Sequence, residues 1–260
     1  MRGKTLKLSA PRRLACDLMG FAMKFPRVTV ERWMQLGPLL RARGALEPRP
    51  SWTVLFLKGY ALLAQEVPEL RRAYIKLPTP RLYEYPMSVA SVAQESEFEG
   101  VQVVVMTRIK GPEERSIPEL GAMLQAARSR PILENKEAQR WLWLAQAPAP
   151  IRRTLIWIGL NLGQQRANLF GTFHLSVISG LGADSPNPLS FLTTLFNYGV
   201  MGEDGGVIVR IHFDHRVMDG ADIARALKRF EEILNGTIAA ELDMLAQQKA
   251  CLDLEREPEY

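Results

Sequence analysis

The stretch FDHRVMDGADIARAL, residues 213–227, gathers the side chains best suited to chemistry in this sequence. The chain has three histidines, and one of them, His215, lies just after Asp214 and four positions before Asp219, which Gly220 follows. An imidazole titrates close to neutrality, so a neutral ring with a free nitrogen can take the proton of an attacking thiol or hydroxyl. The preceding run GGVIVRIHFDH is apolar and β-branched and reads as a strand with side chains alternating between two faces. His212 and Asp214 then share one face, and Ile211, Phe213 and His215 the other. Two histidines so placed cannot chelate one ion from a regular strand, and no metal site is expected. A histidine at a strand end also commonly serves as a satisfied structural residue, so spacing alone does not assign it a reaction.

The elements that must position this segment follow from periodicity. Helices are predicted over 11–25, 52–67, 117–127 and 221–234, the second opening at Ser51 and the last carrying Ile223, Ala226, Leu227, Phe230 and Ile233 on one face. Asn235-Gly236 is expected to stop the last helix and leave 237–260 as a peripheral tail. Strands are predicted over 28–33, 87–93 and 101–109, with short extended pieces over 72–85, and NLFGTFHLSVISGLG reads as a strand entering a turn. Between 131 and 169 the pattern changes to a Trp-rich insertion, split by Pro148 and Pro150 and too short in each half to span a bilayer. No internal repeat or low-complexity linker divides the chain, so one domain over 1–260 is expected.

With 260 residues and 47% hydrophobic content the chain can bury a sizeable core. Cys16 and Cys251 show no paired spacing, which argues against a disulfide framework and favours a reducing compartment. No signal peptide or spanning run is evident, and a cytoplasmic location is expected. The net charge is +5, and the first 50 residues hold eight more Lys and Arg than Asp and Glu. Such a basic end suits a phosphate-bearing ligand, an acidic carrier protein or an anionic membrane face. No nucleic-acid-binding signature accompanies it, and nucleic acid is not an expected partner.

DHRVMDGADIARAL resembles the signature of the catalytic domain of dihydrolipoamide acyltransferases, the acyl-transferring cores of 2-oxoacid dehydrogenase complexes, whose superfamily includes chloramphenicol acetyltransferase. PRRLACDLM resembles that family's first helix, LFLKGYALLAQEVPEL its second with the following turn, SIPELGAML its third, and GTFHLS its hydroxyl-bearing strand. The similarity covers about residues 8–130 and 169–236. It implies an α/β fold with a chloramphenicol acetyltransferase-like mixed sheet flanked by helices, assembled as a homotrimer with sites between subunits. It assigns His215 as general base and Ser176 as donor to the tetrahedral oxyanion, with Ser179 the alternative donor three residues on. It also implies that Asp219 holds the turn beneath His215 by pairing with Arg12, with Arg13 beside it, and that Gly220 lets the backbone turn tightly. His174 shares the strand face of Ser176 and reads either as a lining residue or as an ordinary core histidine.

Members that form complexes carry a lipoyl domain ahead of the catalytic domain, and the resemblance here begins near residue 8. The expected donor is therefore a coenzyme A thioester, the phosphopantetheine of an acyl carrier protein, or a lipoyl domain in trans. The insertion is the second departure. With Trp141, Trp143, Leu155, Trp157, Ile158 and Leu162 on one side and Arg152, Arg153 and Gln164 on another, it would contact an acyl chain or lie peripherally on the inner membrane face. The leading expectation is a stand-alone acyltransferase acting on a small or lipid-like acceptor. Its rivals are a 2-oxoacid dehydrogenase core, a non-catalytic trimeric scaffold, and a hydrolase using Ser176 and His215, for which the G-x-S-x-G elbow is missing.

Overall fold

The computed structural model describes residues 1, 3–98 and 100–254. In chain order the elements are α1 (Ala10–Ala22), β1 (Arg27–Gln35), α2 (Gly37–Gly44), α3 (Trp52–Glu66), β2 (Arg72–Ile75), β3 (Arg81–Glu84), β4 (Val89–Phe98) and β5 (Val101–Lys110). They continue with α4 (Ile117–Ser129), α5 (Lys136–Gln146), α6 (Ala149–Asn161), α7 (Gly163–Phe170), β6 (Phe173–Leu175), β7 (Thr194–Tyr198), β8 (Gly206–Asp214), α8 (Gly220–Ile233) and α9 (Ala239–Leu254). Six strands form one mixed sheet in the order β1-β8-β7-β6-β4-β5, and β2 and β3 form a separate hairpin. The sheet is antiparallel except where β6 runs parallel to both β4 and β7.

Strand alternation divides this sheet into two unlike faces. On the first, Phe173, Phe196, Tyr198, Val209, Ile211 and Phe213 point toward α3, α4 and α8 and join the main apolar core. Phe196 and Tyr60 of α3 stack with centroids 4.9 Å apart, and Phe230 of α8 meets both edge-on. Such pairings add to the area that aromatic rings bury. Tyr60, buried in α3, donates its hydroxyl hydrogen to Thr194 Oγ1 at 2.9 Å, satisfying the polar tip inside the core. Gly59 lets α3 come this close to α8, because a Cβ there would sit 2.8 Å from Leu234 and 3.0 Å from Phe230.

On the second face the register lines up Arg108, Ser91, His174, Leu195, His212 and Thr29 across all six strands. This face is covered by α1, α5, α6 and α7 around a smaller core that contains Leu14, Ala145, Ile156, Leu160 and Phe170. Gly171, at φ +96°, starts β6 where a Cβ would lie 2.9 Å from the Val89 carbonyl oxygen, so only glycine lets β6 dock on β4.

Two expectations change here. Asn235-Gly236 does not end the last helix: α8 passes through a π-turn over 234–238 into α9, and Leu234, Ile238 and Leu242 are fully buried in the main core. Burial of those side chains outweighs the local stop signal, so 238–242 joins the core, while 247–252 is exposed as expected of a peripheral segment and 255–260 lies outside the described residues. The insertion 131–169 folds as α5, α6 and α7, and Arg152 does not share the exposed side of Arg153 and Gln164. Arg152 points inward, its Nε 2.5 Å from Asp17 Oδ2 of α1, while Ile151, Leu155, Ile158 and Leu162 form a stripe on the outer side. A buried guanidinium needs a carboxylate, and Asp17 is one that only the tertiary fold supplies.

Candidate active site

His215 follows directly on β8, where the ladder to β1 has just ended at the Asp214–Arg27 pair. Its neighbours are tied down on both sides. Arg216 grips the buried Asp214 carboxylate with two side-chain bonds, 2.9 and 2.6 Å, and its own amide donates to the same group at 3.0 Å. The His215 amide donates to the Pro26 carbonyl at 3.0 Å, and the ring leans on Phe213 with centroids 5.6 Å apart. Nδ1 lies 3.3 Å from Asp219 Oδ1, and 46% of the side chain is open to solvent. On a neutral ring a carboxylate at Nδ1 favours the proton there and leaves the lone pair on Nε2, the tautomer a general base requires.

Asp219 thus contacts the ring itself, not an arginine of α1. Arg12 and Arg13 are exposed on α1, and neither reaches Asp219 in this chain. The first-helix residue that does enter an ion pair is Asp17, held by Arg152 and by Arg153 Nε at 2.7 Å. Gly220 is also corrected: it opens α8 without a positive φ, and a Cβ there would meet nothing closer than Val30 at 3.9 Å. The turn is set instead by Asp222, whose carboxylate accepts the Asp219 amide hydrogen at 3.2 Å.

Ser176 lies one residue past β6, where its amide still donates to the Phe196 carbonyl at 3.4 Å. It lines a cavity of about 300 Å³ between the second sheet face and helices α1 and α5, together with Ser91, His174 and Arg108. Ser179 does not line it and belongs to a short helical turn over 179–181, so the two serines are not alternatives on one strand. Trp141 lines the cavity and packs on Phe170 at 5.7 Å, whereas Trp143 and Trp157 point outward, 66% and 46% exposed.

His174 is both lining residue and buried core histidine. Ser190 Oγ lies 2.7 Å from its Nδ1, and burial, with the charges of Arg27 and Arg166, pushes its pKa down to about 3, so the ring stays neutral. His212, next but one along the same row, is bonded to Thr29 Oγ1 at 2.7 Å and is lowered to about 4, first by burial and then by Arg27 and Arg210. The contributions of Ser91 and Arg108 were not anticipated; the signal was a polar residue on one parity of two otherwise apolar strands.

Within one chain His215 and Ser176 do not meet. Register places Ser176 level with Asn197 and Arg210, while His215 lies five residues further along β8. That is about 16 Å along the strand and about 10 Å across two strand spacings, roughly 19 Å in all. A centre that uses both must draw them from two copies. Among the described residues no cluster of His, Cys, Asp and Glu is arranged to hold a metal ion, and no helix is long and apolar enough to cross a membrane.

The mixed sheet flanked by helices matches the fold of dihydrolipoamide acetyltransferase catalytic domains and of chloramphenicol acetyltransferase. Among solved structures the chain is similar to a probable dihydrolipoamide acetyltransferase from Listeria monocytogenes, with a TM-score of 0.66 at 15% identity, covering 89% of this chain and 94% of that one. It is equally similar to the dihydrolipoamide acetyltransferase of Azotobacter vinelandii, with a TM-score of 0.66 at 18% identity over 93% of this chain and 94% of that one. Chloramphenicol acetyltransferase aligns over 89% of this chain and all of its own, with a TM-score of 0.52 at 14% identity. No protein-family model and no curated protein sequence matches the chain.

Proposed function

We propose that this protein is an acyltransferase that moves an acyl group from a thioester to a small or lipid-like acceptor across an interface between copies of the chain. His215 of one copy is the general base that takes the acceptor's proton, and Ser176 of the next donates a hydrogen bond to the tetrahedral oxyanion. Asp219 is a positioning residue that holds the ring by Nδ1. The observation that carries the reading is this placement of His215, held through its backbone and by Asp219 at Nδ1 with nearly half of the side chain exposed. The Azotobacter vinelandii enzyme supports it: the residues investigated for its catalytic mechanism are a serine, a histidine and an asparagine four positions after that histidine, the spacing of His215 and Asp219.

In this reading coenzyme A or the phosphopantetheine of an acyl carrier protein delivers the acyl group, and the protein works as a homotrimer without a resident metal. The chain then acts alone, not as the core of a 2-oxoacid dehydrogenase complex. The test is subunit complementation. His215→Ala and Ser176→Ala are each expected to lose acceptor-dependent thiol release from acyl-coenzyme A, and a mixture refolded together should recover about a quarter of parental activity, because random assembly rebuilds that fraction of interfaces. Failure of the mixture to recover would overturn the shared site. Release that needs no acceptor would indicate hydrolysis, activity only with acylated lipoyl domain would indicate a complex core, and silence from the parent with every donor would indicate a scaffold.

A further inference from the structure

We infer that the cavity beside Ser176 is a binding site for one unbranched aliphatic acyl chain of about a dozen carbons, presented as a neutral carbonyl derivative and not as a free carboxylate. The carbonyl end would lie at Ser176 and His174, and the tail would cross β4 past Ala93 to β5, toward Val104 and Ile132. The inference rests on the acyl-transfer reading for the chemistry at Ser176 and adds to it the length and head group of the chain transferred.

Size and shape argue for a single chain. An apolar cavity of about 150 Å³ holds one six-carbon benzene ring. The cavity here is about 300 Å³, and its lining surface is predominantly apolar. Register sets Ser176 level with Ala93 and Met106, so from Ser176 across β4 to Val104 the cavity runs two residues along the strands and two strand spacings across, about 12 Å. Spread over that length, the volume leaves a mean cross-section of about 25 Å², room for one alkyl chain. The walls are Leu14, Leu18, Met19, Met106 and Leu142, flexible aliphatic side chains that conform to a chain.

The head group follows from charge. Among the described lining residues the sole charged side chain is Arg108, and it is already engaged, with Nη2 2.8 Å from Glu137 and Nη1 on the Leu169 carbonyl. His174 is held neutral by its surroundings. A carboxylate entering here would find no free cation, whereas a thioester, ester or amide carbonyl would meet the hydroxyls of Ser91 and Ser176. The Trp-rich insertion closes the channel with Trp141 and Ala145 of α5. The segment that departs from the family pattern is thus the one that makes room for a long chain.

The test uses a probe that chemistry cannot consume, N-(2-acetamidoethyl)dodecanamide, with its butanamide counterpart and dodecanoate as the other arms. Binding is read from tryptophan fluorescence, with Trp141→Phe expected to remove most of the change, and from the shift in unfolding midpoint. The dodecanamide should bind at least tenfold more tightly than either other arm, and Ala93→Phe, in mid-channel, should weaken it at least tenfold. Should that variant unfold, Ala15→Phe fills the same space from α1. With thioester donors Ala93→Phe should shift the preferred length from about twelve carbons to six or fewer. Equal affinity for the butanamide or for dodecanoate, or binding that survives both fillings, overturns the inference, the latter placing the probe on the exposed Trp143 and Trp157. Tight dodecanamide binding without any thioester turnover would defeat the transfer reading and leave the chain site standing. Transfer of acetyl groups without dodecanamide binding would do the reverse.

Discussion

The two faces of the central sheet use the same strands for opposite purposes. On the α3–α8 face the inward positions are mostly apolar, polar groups such as Tyr60 and Thr194 bond each other, and rings pack through Phe56, Tyr60, Phe196 and Phe230. On the α1–α5 face the alternate positions of those strands carry Arg210, His212, Asp214, His174 and Asn197. The difference teaches where stability and chemistry are stored. The first face stabilises by burial and packing. The second holds neutral histidines, buried charges and an unfilled cavity, groups that cost stability unless partnered.

Substitutions should separate the faces. The largest effect is expected from His215→Ala, which should lower acceptor-dependent turnover about 10²–10⁴-fold while leaving the unfolding midpoint nearly unchanged; a loss under tenfold would remove His215 from the base role. On the other face Phe230→Ala should destabilise by about 3–5 kcal/mol in urea unfolding, through lost burial and the cavity left among the rings of Phe56, Tyr60 and Phe196. Gly59→Ala should follow at about 1–3 kcal/mol, because the added methyl overlaps Leu234 and Phe230.

Acid should sharpen the contrast. His174 and His212 have folded-state pKa values near 3 and 4, below the ordinary imidazole value of 6.5, so the unfolded chain binds their protons first. Their neutrality therefore supports stability fully above pH 6.5, and that support is lost as pH falls toward 4, by up to about 1.4 kcal/mol per pH unit for each ring. Urea unfolding from pH 7 to pH 4 should show this slope in the parent. His174→Gln with His212→Gln should flatten it, although the double variant starts less stable, and an unchanged slope would contradict the neutral-histidine description of that face.

How much was legible beforehand follows the same division. The helices α3 and α8 and the strand β8 were readable because a single apolar core imposes regular periods on them. β7, TLFNY, was not singled out, since a short central strand buried on both faces shows no alternation of apolar and polar residues. The second face was harder because its partners are distant in sequence. Asp17 and Arg152 are 135 positions apart, and no local pattern announces that the arginine goes inward and the leucines outward. Ser176 and His215 could be named by residue type and order, but their separation along the sheet is a property of register. The direct contact between His215 and Asp219 was hidden by the expectation of a bridging arginine.

The distance between His215 and Ser176 has a consequence for how such a protein would behave when scarce. If turnover requires the imidazole of one polypeptide and the hydroxyl of another, a freshly synthesised chain is chemically silent. Specific activity would climb with protein concentration until association saturates, and dilution would extinguish it without unfolding anything. Assembly itself would then serve as the switch.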